Sequence, residues 1–299
     1  MDPITEGALV LLRKDGRLSF TELARLLGTT RASIAARLTP MLESDELRIV
    51  AAVHPRLLGL NVMAHLAVKL SGDLERVVGV IAEQLPAVFI SEIVGPEQLI
   101  VEVHTRTLGD LQGVLRRIRS IEGVSDVRYL IYQQVLNSFF LGAEPEGPYA
   151  DLDASDSAII EMLQHDGRAT YAALAASADL SITAVRARVR RLLASGVMRI
   201  GALGQRSDSA GSLVFGVGLN LGGEGVEAVH RISGRRGLEF MARTIGRYDL
   251  IATVPFTSLQ DFNTFVAELR RIPEVENVSS WLHARIRQER YQLASIRRG

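Results

Sequence analysis

The chain repeats itself at a constant offset of 151 positions, and no other feature limits its possible folds as tightly. Asp15, Gly16 and Arg17 return as Asp166, Gly167 and Arg168; Leu23, Ala24, Arg37, Leu42, Arg48 and Ile49 return as Leu174, Ala175, Arg188, Leu193, Arg199 and Ile200. The match continues downstream, pairing Gly95 with Gly246, Leu99 and Ile100 with Leu250 and Ile251, Val103 with Val254, Ile121 with Ile272, and Val124 with Val275. A period this long means two copies of a whole module, because solenoid repeats recur every ~20–50 residues. Half of 299 residues leaves room for two small domains per copy.

Each copy opens with three helix-like stretches. Residues 3–13 and 153–164 are amphipathic, with Leu9 and Leu12 in one copy and Ile159, Ile160 and Leu163 in the other. After Asp-Gly-Arg, Ser19 and Thr170 are placed to cap short helices at Phe20 to Leu27 and Tyr171 to Ala178. Turns at Gly28, Thr29, Thr30 and at Asp179, Leu180, Ser181 lead to a third helix. Its apolar positions keep helical spacing: Ile34, Leu38 and Leu42 in one copy, Val185, Val189 and Leu193 in the other. Helix, tight turn, helix is the pattern of a helix-turn-helix, and Thr30 and Ser181 stand where its last helix needs a cap. Pro40 interrupts the third helix of the first copy, so that helix is expected to be short or kinked.

The remainder of each copy alternates strand and helix. Leu47 to Val53 and Val197 to Leu203 suit a wing or connecting strand. Then Val62 to Leu70, Val88 to Val94, Leu99 to His104 and Val124 to Val135 read as strands around helices at 73–85 and 107–120, an order of βαββαβ. The second copy repeats it from Leu213 to Ile286. The predicted class is α+β, with two winged helix-turn-helix domains (1–54 and 153–204) alternating with two ferredoxin-like βαββαβ domains (60–136 and 211–286). A Pro, Gly and acid-rich linker is expected at 137–152, and a loosely packed charged tail at 287–299.

Apolar residues at 47% suffice for real cores, and aromatics at 5% make those cores aliphatic. No apolar run reaches the ~18 residues of a membrane span, and the acidic MDPITEG start lacks a secretory n-region. Cysteine is absent, which excludes thiolate metal sites and disulfides; a cytoplasmic protein is expected. His54, His65, His104, His165, His230 and His283 show no i, i+4 pairing, so neither a metal nor a cofactor is expected. Gly216 to Gly222 has the wrong spacing for a dinucleotide loop and reads as a strand entering a turn; no P-loop, nucleophile elbow or zinc-protease motif occurs.

Net charge is zero, with the excess of cations in the second half, and apart from Lys14 and Lys69 every Lys/Arg position is arginine. On the second copy's third helix Val185, Val189 and Leu192 face inward. That leaves Arg186, Arg190 and Arg191 outward, Arg188 at the edge, and Ser181 and Thr183 at the start. In the first copy Thr30, Arg31, Ser33 and Arg37 are comparably placed. Such side chains can hold phosphates and reach guanine edges, which makes double-stranded DNA the expected partner.

Asp-Gly-Arg, then Glu-Leu-Ala, then a Leu-Ser turn and an Arg-Val-x-Arg-Leu helix are the local motifs of the Lrp/AsnC (feast/famine) transcriptional regulators. This chain resembles that family over nearly its whole length, twice. The motifs stand here as Asp166-Gly167-Arg168, Ala173-Leu174-Ala175, Leu180-Ser181 and Arg188-Val189-Arg190-Arg191-Leu192; the first copy has Asp15-Gly16-Arg17 and Glu22-Leu23-Ala24. The resemblance implies RAM/ACT-like ferredoxin domains that pair, DNA read by two heads about one helical turn or a multiple apart, and a non-enzymatic regulator responsive to an amino-acid-like effector. It further implies a single chain equivalent to a pseudo-dimer, and homo-oligomers of two or four chains. The family's connecting Pro-x-x-Leu-Gly stands at Pro55 to Gly59, while the second copy has only Ala210-Gly211. Its effector loop, Gly-x-x-Asp, stands as Gly246-Arg247-Tyr248-Asp249 and, altered, as Gly95-Pro96-Glu97-Gln98. Gly246, Arg247, Tyr248, Asp249, Gly95 and Gln98 are therefore candidate effector residues, although a tight β-turn accounts for the Gly246 loop equally well and is the favoured reading of Gly95 to Gln98, where Pro96 suits a turn's second position. Replacing Asp by Gln98 is expected to cost an effector's ammonium its ionic partner.

Two other readings compete. Tetrapyrrole decarboxylases of the sirohaem pathway resemble these regulators in both domains, and His54, Arg56, Gly59, Asn61 and Met63 occupy the region where those enzymes carry functional His and Arg; a surface His54 is the plainer alternative. The third reading is an effector-sensing subunit that no longer binds DNA.

Overall fold

The computed structural model describes residues 2–138, 142–144, 152–204 and 213–290. In the first copy α1 (Pro3–Lys14), α2 (Phe20–Leu26) and α3 (Arg31–Glu43) lead into β1 (Leu47–Val53) and a 3₁₀ turn at Pro55–Leu58. Then come β2 (Val62–Leu70), α4 (Leu74–Gln84), β3 (Ala87–Val94), β4 (Leu99–Thr105), α5 (Leu108–Arg119) and β5 (Val124–Ser138). The second copy supplies α6 (Ala154–His165), α7 (Tyr171–Ala178), α8 (Ile182–Ala194), β6 (Met198–Gly204) and β7 (Leu213–Leu221). It ends with α9 (Val226–Ser233), β8 (Phe240–Gly246), β9 (Leu250–Phe256), α10 (Leu259–Leu269) and β10 (Val275–Glu289). The anticipated tail is shorter than expected, because β10 continues to Glu289 and pairs with β3 as far as Phe89. Most of the linker, Ala210-Gly211 and residues 291–299 lie outside the described residues. No helix among the described residues is long and apolar enough to cross a membrane.

Strands and helices assort into two compact units. The first holds both helix-turn-helix segments. Its helices start at the anticipated caps: the side chains of Ser19, Thr30, Thr170 and Ser181 accept the amides of Glu22, Ser33, Ala173 and Ala184. The turn before the third helix needs one left-handed residue, supplied by Gly28 (φ 65°) in one copy and Asp179 (φ 52°) in the other, the latter among the few side chains that tolerate it. Pro40 does not shorten α3. The helix runs 13 residues, as does α8, and the Ser44 amide closes onto the Pro40 carbonyl. Losing one amide donor near the C-terminal end is tolerated here.

β1 and β6 pair with each other, antiparallel, with Val50 opposite Gly201 and Ala51 opposite Ile200. The two heads thus share one two-stranded sheet and one core, in which Leu12, Leu23, Ile34 and Leu38 meet Leu163, Leu174, Val185 and Val189.

The second unit is a closed eight-stranded barrel in the order β10-β3-β4-β2-β5-β8-β9-β7. Each copy contributes four strands in ferredoxin-like order, and the two seams, β5 with β8 and β10 with β3, carry register shifts at corresponding places: Tyr132/Gln134 and His283/Arg285. Alternation along the strands gives the barrel wall an outer and an inner apolar face. On β2, Ala64, Leu66 and Val68 pack with Val77 and Ile81 of α4 and Leu115 and Ile118 of α5. Phe215, Phe256, Phe262 and Phe265 form the corresponding layer of the second copy. The opposite faces meet inside the barrel, where Met63, Ile100, Leu130 and Tyr132 pack with Ala242, Tyr248, Ile251 and Trp281.

Candidate nucleic-acid interface

The second head exposes the face anticipated for it. Val185, Val189 and Leu192 of α8 are buried, while Ser181, Thr183, Arg186 and Arg190 are exposed. The Arg186 guanidinium lies 5.2 Å from the centre of the Tyr171 ring, a cation–π contact that limits its rotamers without covering it. Arg188 and Arg191 are committed elsewhere. Arg188 Nη1 sits 2.6 Å from Asp153 and 2.9 Å from Asp156, and Arg191 also pairs with Asp156, a carboxylate 1% exposed. These pairs fasten α8 to α6. The amide of Asp156 and the Arg188 guanidinium hold the Asp153 carboxyl below its usual range, and the two acids raise Arg188 in turn.

The first head repeats this fastening with different parts. Arg37 Nε is 3.1 Å from Asp2, and its Nη1 donates to the carbonyl and hydroxyl of Ser33 at 2.9 and 2.7 Å. The Thr5 hydroxyl, then Arg37, hold Asp2 down to about 2. Asp2 and Arg37 are the counterparts of Asp153 and Arg188, so this pair belongs to the architecture of the head. At the next pair along, Thr5 and Pro40 replace Asp156 and Arg191, both partners changing together. Of the residues singled out in the first head, Thr30 and Arg31 remain exposed, while Ser33 and Arg37 are tied to one another.

Asp-Gly-Arg has a task the linear chain does not disclose. Gly16 donates its amide to Ile200 at 2.9 Å and Gly167 donates to Ile49 at 2.8 Å, each reaching the other head's strand. A Cβ on Gly16 would lie 2.8 Å from Ile49 and 2.9 Å from the backbone of Gly201; on Gly167 it would lie 2.9 Å from Ile200. The aspartates bind the arginine amides locally, at 3.0 and 2.8 Å. The arginines cross over: Arg17 donates to Ala169 at 3.0 Å, and Arg168 donates to Gly16 and Leu18 at 3.0 and 2.8 Å. Burial lowers the pKa of Arg168. Arg17 also lies over Tyr171, at 4.8 Å, on the ring that Arg186 uses. The clasp between the heads therefore leads directly to an exposed arginine of α8.

The candidate effector loops lie in the barrel unit. Asp249 accepts the Leu221 amide at 2.9 Å, and Gln98 accepts the Leu70 amide, its counterpart, at 2.8 Å. Both side chains serve as backbone acceptors, which a neutral amide does as well as a carboxylate. The two copies thus share one structural bond at this position. Gly246 has φ 142° and would bring a Cβ within 2.9 Å of Leu130, whereas Gly95 has ordinary room, 3.6 Å from Trp281. Arg247 lies over the ring of Tyr248 and reaches Glu97, a residue the sequence reading passed over. Gly216 and Gly218 do sit within strand β7, where they make room for Trp281 and Tyr248, whose atoms a Cβ would meet at 2.1 and 2.5 Å.

Of the residues of the enzymatic reading, Arg56 donates its backbone amide to His54 Nδ1 at 3.4 Å. His54 is buried, contrary to the surface position considered for it, with its amide on Val197 at 3.3 Å and its carbonyl taking Leu57 at 3.0 Å. Met63 is buried inside the barrel. Among the described residues no three His, Asp or Glu side chains gather as metal ligands.

The family model of the AsnC-type helix-turn-helix domain matches residues 1–41 and 152–193. Relatives include the HTH-type transcriptional regulator FL11 of Pyrococcus furiosus, 26% identical over 137 residues that make up 45% of this chain and 91% of the relative. Another is LysM of Sulfurisphaera tokodaii, also an HTH-type transcriptional regulator, 27% identical over 46% of this chain and 98% of the relative. Over its whole length the fold is similar to the crystal structure of the siroheme decarboxylase NirDL, with a TM-score of 0.65 and 18% identity, covering 96% of this chain and 93% of that one.

Proposed function

We propose that the chain, which carries two AsnC-type helix-turn-helix domains, is a tandem-duplicated regulator of the Lrp/AsnC (feast/famine) kind and that a single chain acts as a covalent pseudo-dimer, a sequence-specific DNA-binding transcriptional regulator. The observation that carries this reading is the α8 face, where Arg186 and Arg190 stand exposed opposite a fully buried aliphatic seam. Phosphate contacts from such a face supply affinity, and one or two guanidiniums reaching base edges supply preference. The first head offers less, with Thr30 and Arg31 exposed and alanine and threonine (Ala35, Thr39) at the counterparts of Arg186 and Arg190. The two half-sites are therefore unlike, and the second head dominates. We assign DNA contacts to Arg186, Arg190, Ser181, Thr183, Thr30 and Arg31, and a helix-fastening role to Arg37, Arg188 and Arg191. An amino-acid-like effector, assembly of two or four chains and a cytoplasmic location accompany the proposal.

The test is a gel-shift titration on fragments selected from random duplex DNA. Changing Arg186 and Arg190 together to Ala is expected to weaken binding ~30-fold or more, at about 1–3 kcal/mol for each of two good base contacts. Arg31→Ala is expected to weaken it roughly threefold or less, as for one phosphate contact. Affinity falls steeply with salt in the parent protein. Equal losses in both heads, or binding indifferent to salt, refute the proposal.

Fold likeness across 96% of the chain favours one alternative, decarboxylation of a tetrapyrrole. The barrel interior counts against it. Among the described residues the cavity beside Trp281 and Tyr248 measures about 40 Å³, whereas sites for ligands of drug size or larger measure ~300–1,000 Å³. An absorbance titration with an iron tetrapyrrole separates the two readings; a saturable Soret shift would favour the enzyme.

A further inference from the structure

The clasp between the heads contains two arginine-on-ring contacts that match across the duplication but end differently. At the 151-residue offset Arg17 corresponds to Arg168, Phe20 to Tyr171 and Ala35 to Arg186. Each arginine crosses to the other copy's ring: Arg168 lies over Phe20 at 5.5 Å and Arg17 over Tyr171 at 4.8 Å. Both rings are partly buried against the aliphatic core of the heads, which restrains them. In the first head the series stops there, because Ala35 brings no cation to Phe20. In the second it continues, with the Arg186 guanidinium 5.2 Å from the centre of the Tyr171 ring.

The two guanidiniums on Tyr171 are held unlike each other. Arg17 spends Nη2 on the Ala169 carbonyl at 3.0 Å, and among the described residues its buried Nη1 has no hydrogen-bond partner, so the ring is the contact that secures it. Arg186 is exposed, and among the described residues Tyr171 is its one partner. Arg190, one helical turn on, is exposed with neither ring nor carboxylate beside it among the described residues. A guanidinium stacked on an aromatic face keeps its planar fork of donors and gives up rotamer freedom before any ligand arrives. Immobilising a free long side chain in an interface costs a factor of roughly 2–10 in affinity, which a held one largely escapes. Two like charges on one ring also repel. Arg17 is fixed, so that repulsion falls on Arg186 and keeps it from folding back onto the clasp.

We propose that Tyr171 is a positioning residue for the base contact of Arg186, and that Arg17 acts through it, so that a residue of the first copy sets the sequence preference of the second head. Neither Tyr171 nor Arg17 touches a base in this arrangement. A bidentate contact to guanine needs the guanidinium plane aligned with the base edge, and a ring-held Arg186 meets that need where an unrestrained Arg190 does not. Arg186 therefore supplies discrimination, and Arg190 supplies mainly affinity. The inference rests on the reading of α8 as the DNA-contacting helix and adds to it the part that orients one of its arginines.

The test is a gel-shift titration of the full chain on a selected operator and on the same duplex changed at the base pair whose preference Arg186→Ala abolishes. The ratio of the two affinities is the readout, because a variant that is partly unfolded lowers both alike. Tyr171→Leu, which keeps an apolar body and removes the ring, is expected to lower the ratio ~3–10-fold. Tyr171→Phe keeps the ring and should match the parent, while Arg17→Met should lower the ratio about threefold. Tyr171→Leu should have an effect of less than about twofold in an Arg186→Ala background and its full effect in an Arg190→Ala background. Phe20→Leu, which breaks the matching contact of the first head, should leave the ratio unchanged. An unchanged ratio in Tyr171→Leu, the same loss with and without Arg186, or an Arg186→Ala protein that keeps every base preference would each overturn the proposal. In the DNA-free protein the Arg186 Nε–Hε resonance, identified by its absence in Arg186→Ala, should move downfield when Tyr171→Leu removes the ring current; no movement refutes the stack. A parent protein without salt-sensitive, sequence-dependent binding refutes the DNA reading itself, and this inference with it.

Discussion

Asp2 and Asp153 show how single residues serve the heads. Each caps the first helix and grips the arginine of the third, so one carboxylate fixes two elements at once. Both carboxyls are held below the ordinary range, Asp2 to about 2 from 3.8. A lowered folded pKa means that the stabilisation is complete above the unfolded value and is lost as pH falls through the folded one. The melting midpoint of the protein should therefore hold level from pH 7 to about 5 and decline from about 4 toward 2, the decline shrinking in Arg37→Ala and Arg188→Ala; a steeper fall in those variants would contradict the assignment. Which arginines could be free was not readable from spacing. Arg188 lies at the edge of the helical seam and Arg190 outward of it, and only the position of α6 relative to α8 commits the first and leaves the second.

Between elements the decisive contact is a glycine against a strand. Gly16 and Gly167 let the loop after the first helix touch the strand of the other copy, and a methyl at either place collides with backbone, which cannot swing aside as a side chain can. Gly16→Ala or Gly167→Ala is expected to cost about 1–3 kcal/mol of the first unit's stability, read by urea unfolding followed by far-ultraviolet circular dichroism. It should also raise protease sensitivity at β1 and β6. A change below ~0.5 kcal/mol in both would show that the heads do not depend on this approach. The helices themselves, their caps and the βαββαβ order were legible, because capping and periodicity act within a few residues. The partner of β1 was not, since a strand declares its alternation but not its neighbour.

For the whole molecule, fusion removes a constraint that separate chains cannot escape. Two identical subunits must present identical heads, whereas the joined copies have diverged in the third helix, in the hairpin loops and in the barrel interior. A selected operator should accordingly be asymmetric. Mutating the half-site under the second head should reduce affinity ~10-fold or more, and the other half-site several-fold less, at about 1–3 kcal/mol per mismatched pair. A perfect palindrome with equal sensitivity on both sides would count against divergent heads.

From the amino-acid order alone come the duplication, the two kinds of domain, the helix caps and the arginine-rich third helix, all of them properties that neighbouring residues impose through periodicity and local hydrogen bonding. Only the folded chain decided that Asp-Gly-Arg links the heads, that Asp249 and Gln98 hold a strand, and that Tyr171 carries arginines from both copies. Those outcomes join residues far apart in the chain, and close packing fixes their contacts from every side at once.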